Sequence, residues 1–157
     1  MSRRAKNVSR RAIPPDANYG SIAVAKFINK LMLGGQKATA ERIVYDALQM
    51  VEQRLNTNPA EGLAQAIKNT TPLLKVKSRR VGGATYQVPV EVPANHGRHL
   101  AMRWLIKAAR SRSGKSMVEK LTAELTDAIQ GQGGAVKRRD EIHKMAEANR
   151  AFAHFRW

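Results

Sequence analysis

The sequence predicts a mainly α protein: about six helices in one bundle, with a two-stranded antiparallel β-ribbon between the third and fourth helices. Three observations carry this. Apolar residues recur at three- and four-residue spacing in six separate segments. The stretch KVKSRRVGGATYQVPVEV, Lys75 to Val92, breaks that pattern with Val, Thr and Tyr flanking Gly-Gly. A chain of 157 residues, 43% of them hydrophobic, suffices for a single domain with a real core.

The chain opens with an arm, residues 1–18, whose first twelve residues MSRRAKNVSRRA include Arg3, Arg4, Lys6, Arg10 and Arg11 and no acid. Transit peptides are also Arg- and Ser-rich, but Pro14-Pro15-Asp16 interrupts this one before any amphipathic pattern. Ser21 can cap a first helix with Ile22, Ala25, Phe27, Ile28 and Leu31 on its apolar face, ending at Gly34-Gly35. The second helix repeats Ala40, Ile43, Val44, Ala47, Leu48, Val51 and Leu55. In NPAEGL, Asn58 is an N-cap, Pro59 occupies N1 and Glu61 N3, and the third helix stops before Pro72. Beyond the ribbon (73–92), Leu100, Ala101, Trp104, Leu105 and Ala108 mark a fourth helix. Met117, Val118, Leu121, Leu125 and Ala128 mark a fifth, closed by Gly131 and Gly133-Gly134. A sixth starts near Ala135, carries Ile142, Met145 and Ala146, and fades into a basic-aromatic tail at 149–157.

Two ribbon registers are open. A two-residue Gly82-Gly83 turn sets Lys75, Lys77 and Arg79 beside Val90, Val88 and Tyr86. A three-residue turn, Val81 to Gly83, gathers Leu74, Val76, Tyr86, Val88 and Val90 on one face and Lys75, Lys77 and Arg79 on the other. A one-residue slip exchanges the faces, so segregation of apolar from basic residues favours the second register. The ribbon then docks by an apolar base and shows a basic flank.

Charge is the functional signal. Lys and Arg number 28 against 12 Asp and Glu, a net +16 with a sequence pI near 11.0. A polyanionic partner follows from such an excess. No segment is long and apolar enough for a membrane span, and none is a basic amphipathic anchor. With no cysteine there is no disulfide, thiolate metal site or cysteine nucleophile, which suits a reducing compartment. Beside the ribbon's Lys75, Lys77, Arg79 and Arg80, the fourth helix carries Arg103, Lys107 and Arg110, continued by Arg112 and Lys115. Lys137, Arg138 and Arg139 sit at the start of the sixth helix, where cations oppose the helix dipole unless an anion is near. The tail interleaves Arg150, His154 and Arg156 with Phe152, Phe155 and Trp157, a pattern suited to stacking on bases or packing on a partner.

Chemical motifs are absent. SGKS (Ser113–Ser116) ends like a phosphate-binding loop, but it has Ala109 where the motif needs its first glycine and it follows a helix. His143 and Glu147 lack a third ligand and read as a surface pair; His96 and His99 have no carboxylate or cysteine beside them. Glu41, Asp46, Glu119 and Glu124 read as helix-surface charges. No cofactor, metal or catalytic role is expected.

KSRRVGGATYQVPVEV, LAMRWLIKAARSRSGKSMVEKLTAEL, AVKRRDEIHKMAEANRAFAHFRW and GGQKATAERIVYDAL together resemble the bacterial small-subunit ribosomal protein seven family over nearly the whole chain. The resemblance implies a cytoplasmic protein of the ribosome: a six-helix bundle with a protruding ribbon. It would bind the 3′ major (head) domain of small-subunit ribosomal RNA and start assembly of the head. It would lie near exit-site transfer RNA and the messenger path, with small-subunit protein eleven as neighbour. Carried over by position, the RNA-facing set is the arm's basic residues, Lys75, Lys77, Arg79, Arg80, Gly82 and Gly83, Arg103, and Lys137 to Arg139; the tail, Ala151 to Trp157, would face transfer RNA or the neighbouring protein. Where relatives are Arg-rich after the ribbon, this chain has PANHGRH, Pro93 to His99, leaving Arg98 as the strong cation there. The competing reading is an architectural DNA-binding protein with a basic β-arm, although such arms insert apolar wedges and this tip is Gly-Gly.

Overall fold

Helix starts follow local chemistry. In the computed structural model, which describes residues 11–155, Ser21 opens α1 (Ile22–Leu31) by accepting the Val24 N–H on its hydroxyl oxygen. Ahead of it, the Asp16 carboxylate accepts the N–H groups of Asn18, Tyr19 and Ser21, so the Pro-Pro-Asp break is a tied turn. α2 spans Lys37–Leu55 and ends at Asn56, whose positive φ of 48° reverses the chain. Asn58 caps α3 (Pro59–Thr70) through the Ala60 N–H at 3.0 Å, with Pro59 at N1 as the sequence predicts.

The ribbon follows as β1 (Leu74–Val81) and β2 (Ala84–Glu91). Then come α4 (Ala94–Ser111), α5 (Met117–Ile129), α6 (Gly134–Ala148) and a C-terminal 3-10 helix (Arg150–Phe155). α5, capped by the Ser116 hydroxyl, packs against α2, α3 and α4. Phe27, Ile28, Leu48, Leu63, Leu105, Leu121 and Leu125 are fully buried, each worth roughly 1.5–3 kcal/mol of transfer free energy.

Several helices depart from the predicted faces, α6 among them, where Met145 is exposed. Ile22 is exposed and Val24 takes the buried place in α1. In α4, Met102, Ile106 and Ala109 join Ala101 and Leu105 inside, while Leu100, Trp104 and Ala108 are half-buried, because α3 and α6 cover this helix as well as α5. α4 also starts six residues before the first predicted position, so PANHGRH is its opening. Gly97 permits this: a Cβ there would lie 2.9 Å from Thr71 Cγ2 and 3.2 Å from the Pro72 carbonyl oxygen.

The ribbon register is the other one. Lys75 pairs with Val90, Lys77 with Val88, Arg79 with Tyr86 and Val81 with Ala84, so Gly82-Gly83 is a two-residue turn. Both glycines have positive φ, 57° and 87°, which a primed hairpin turn requires and which matches strand twist. Lys75, Lys77 and Arg79 therefore share a face with Tyr86, Val88 and Val90, and Arg80 lies on the other with Ser78, Thr85 and Gln87. The predicted segregation of faces does not hold. The charge asymmetry runs across the strands instead: β1 holds all four ribbon cations and β2 holds none.

Candidate nucleic-acid interface

The arrangement of carboxylates defines the surface. α2, α3, α5 and α6 each mix acids with bases, whereas α1, β1 and α4 contain no Asp or Glu. Those three elements supply Lys26 and Lys30, Lys75 to Arg80, and Arg98, Arg103, Lys107 and Arg110. At the ribbon's root the Lys75 ammonium lies 3.5 Å from His96 Nε2 in the first turn of α4. The basic strand thus runs onto the basic helix, which is ~27 Å long over its 18 residues at 1.5 Å per residue.

Along the seam with α1, a groove of about 410 Å³ brings Lys30 together with Arg103, Lys107 and Arg110. Arg110 also donates to the Leu31 carbonyl oxygen at 3.1 Å and so closes the end of α1. A second depression of about 510 Å³ places Lys26 beside Arg98 and His99. The sequence-based set includes neither Lys26 nor Lys30. It weighed clusters of cations, and the signal that finds these two is the absence of any acid in α1.

Other predicted cations are engaged within the fold. Arg112 pairs with Asp127 and with Glu124, its Nε 2.6 Å from Glu124 Oε2. Glu124, read above as a surface charge, is 0% exposed, and its Oε1 accepts the Ala135 N–H at 2.9 Å where α6 begins without a cap of its own. Burial alone would lower the Arg112 pKa; hydrogen bonds from the guanidinium to Asp127 and Glu124 outweigh it and raise the value above the ordinary arginine range. Arg139 donates to the Asn69 carbonyl oxygen and pairs with Asp140, and Arg138 pairs with Glu141. Lys115 and Lys137 are exposed, as are Lys77, Arg80, Arg98, Arg103 and Lys107.

The tail folds back on the ribbon. The Phe152 and Phe155 rings each lie 5.1 Å from the Tyr86 ring, His154 is 4.1 Å from Phe155, and Val88 beneath is 0% exposed. These two phenylalanines, expected to face bases or a partner, are packed on their own ribbon. Arg150 is exposed. Arg3, Arg4, Lys6, Arg10, Arg156 and Trp157 lie outside the described residues; Arg11 is exposed. His143 is not paired with Glu147: its Nε2 accepts the Leu73 N–H at 3.0 Å, just before β1. Among the described residues no group of His, Asp and Glu is placed to hold a metal ion, and no helix is long and apolar enough to cross a membrane.

Known proteins place this arrangement in a lineage. The family model for ribosomal protein S7p/S5e matches residues 2–150. The small ribosomal subunit protein uS7 of Dehalococcoides mccartyi is 56% identical over 157 residues, covering all of both chains. That of Methylobacterium radiotolerans is 55% identical over the same length, and that of Dictyoglomus thermophilum 54% identical over 96% of each chain. A basic ribbon, an acid-free helical seam and full-length identity of this degree have one conclusion: the chain belongs to the ribosomal protein S7p/S5e family.

Proposed function

We propose that this protein is a structural constituent of the small ribosomal subunit, binding the 3′ major (head) domain of its ribosomal RNA and starting assembly of that domain. The observation that carries the reading is the acid-free basic surface running from β1 over α4 to α1, in a chain of this family. Its role is mechanical rather than catalytic. Cations spaced along a strand edge and a helix meet phosphates of folded RNA, whose deep major groove side chains read poorly, so shape and charge do the recognising. Glycines 82 and 83 let the ribbon tip approach a backbone closely, with no side chain to wedge between bases.

In the same reading, the ribbon tip and the tail packed against it lie near exit-site transfer RNA and the messenger path. The neighbouring small-subunit protein eleven meets the C-terminal side, and the protein resides on cytoplasmic ribosomes. The combined substitution of Lys75, Lys77, Arg79 and Arg80 by Ala tests the core of this. Affinity for head-domain RNA should fall, and log K against log salt should flatten by about 3 for four lost phosphate contacts. Unchanged affinity and slope would remove the ribbon from the interface. Competition between head-domain RNA and duplex DNA completes the test, since a preference for DNA would favour the architectural-arm alternative.

A further inference from the structure

The concavity beside the ribbon root has an unusual composition for a protein surface. A groove of about 790 Å³ opens between α1, α3, α4 and α6, and it shares Arg98, Met102 and Ala23 with the depression that holds Lys26. Its size falls within the ~300–1,000 Å³ of small-ligand sites. Leu73 stands in it 72% exposed, and Ile22 lines the adjoining depression at 50%. Around these aliphatic side chains stand Lys68, Arg98, Arg139 and His143, and no carboxylate lines either depression. Neither Lys68 nor Arg98 is paired with a carboxylate among the described residues.

An apolar floor under a one-signed rim suits a ligand that is apolar on its face and anionic at its edge. A membrane surface fits poorly, because the apolar residues lie inside a concavity instead of projecting on a helix face. A protein segment would need acidic residues to satisfy the rim. An unstacked nucleotide meets both demands, with its base on the aliphatic floor and its phosphates against the cations.

We propose that this groove and the depression adjoining it form a pocket for one or two unpaired, extruded nucleotides of RNA, with Leu73 covering a base in the groove, Ile22 a base in the depression, and Arg98 and Lys68 holding the flanking phosphates. The inference rests on the RNA-binding reading above and adds a site specific for unpaired residues beside the phosphate contacts of β1 and α4, with Arg98 of α4 shared between them. Since the floor is aliphatic and not aromatic, selection acts on whether a base is unpaired more than on which base it is.

The test uses the full chain and two RNA hairpins, one fully paired and one interrupted by a two-nucleotide bulge carrying 2-aminopurine. The protein should bind the bulged hairpin about tenfold more tightly, with a change in 2-aminopurine fluorescence. Leu73→Ser and Ile22→Ser, both at exposed positions, should abolish that preference and the fluorescence change while leaving melting temperature and affinity for the paired hairpin unchanged. Arg98→Gln should weaken both RNAs, the bulged one more. Equal affinity of the unaltered protein for the two hairpins would overturn the pocket, as would a bulge preference that survives both serine variants. Failure to bind either RNA would instead overturn the RNA-binding reading itself.

Discussion

α4 and α5 are neighbours in one core, both amphipathic, yet they treat arginine in opposite ways. α5 brings Glu124 and Asp127 to the place where the chain leaves α4, and together they draw Arg112 into the fold. Two residues earlier in sequence, Arg110 makes its bond to a backbone carbonyl, and Arg103 and Lys107 stand exposed on a helix with no acid. The same side-chain chemistry is a structural clamp beside α5 and a solvent-facing cation on α4. What separates them is the position of the carboxylates.

Removing the clamp should have the largest effect. Glu124→Ala leaves Arg112 with Asp127 alone and strips the acceptor from the Ala135 N–H. Breaking a buried pair in this way costs about 3–5 kcal/mol, and urea unfolding should show a loss of about 3 kcal/mol. Under conditions where the variant remains folded, its salt slope for RNA should match the unaltered protein. Next in size is Tyr86→Ala, which removes the ring under Phe152 and Phe155. At about 1 kcal/mol per ring pair, it should release the tail to proteolysis after residue 149 without unfolding the bundle. Smaller still, Arg103→Gln with Lys107→Gln should alter unfolding free energy by no more than about 0.5 kcal/mol, which would mark these cations as having no structural duty. A loss comparable to that of Glu124→Ala would erase the contrast between the two helices.

The register can be checked without an energetic effect. Ser78 pairs with Gln87, and their side chains already meet at 3.0 Å. In this cysteine-free chain, Ser78→Cys with Gln87→Cys should oxidise to a cross-link, whereas Ser78→Cys with Tyr86→Cys should not. The reverse result would restore the three-residue turn.

Much of this was legible in the sequence, for identifiable reasons. α2 and α3 declare themselves by period and by Asn58-Pro59, signals contained within a few residues. The ribbon's existence is equally local, in Gly-Gly flanked by β-formers. Its register is harder to read, because two local rules disagree: segregation of faces favours one pairing, and a two-residue turn with both glycines at positive φ favours the other, which the structure adopts. Glu124 could have been found: it sits three residues after Leu121 and four before Ala128, on the same buried face. Reading acids as surface charges hid it. Lys26 and Lys30 stayed hidden because a pair of lysines is unremarked until the fold sets it against α4.

The central claim is that the acid-free elements, not the protein's overall charge, meet RNA. Two variants of equal net charge test it most directly. One replaces Lys77, Arg80, Arg103 and Lys107 by Gln; the other replaces Lys37, Arg42, Arg54 and Lys120, all on helices that carry acids. The measurement is the slope of log K against log salt for head-domain RNA. It should fall by about 3 in the first variant and by less than about 1 in the second. Equal falls, or a larger one in the second, would contradict the account.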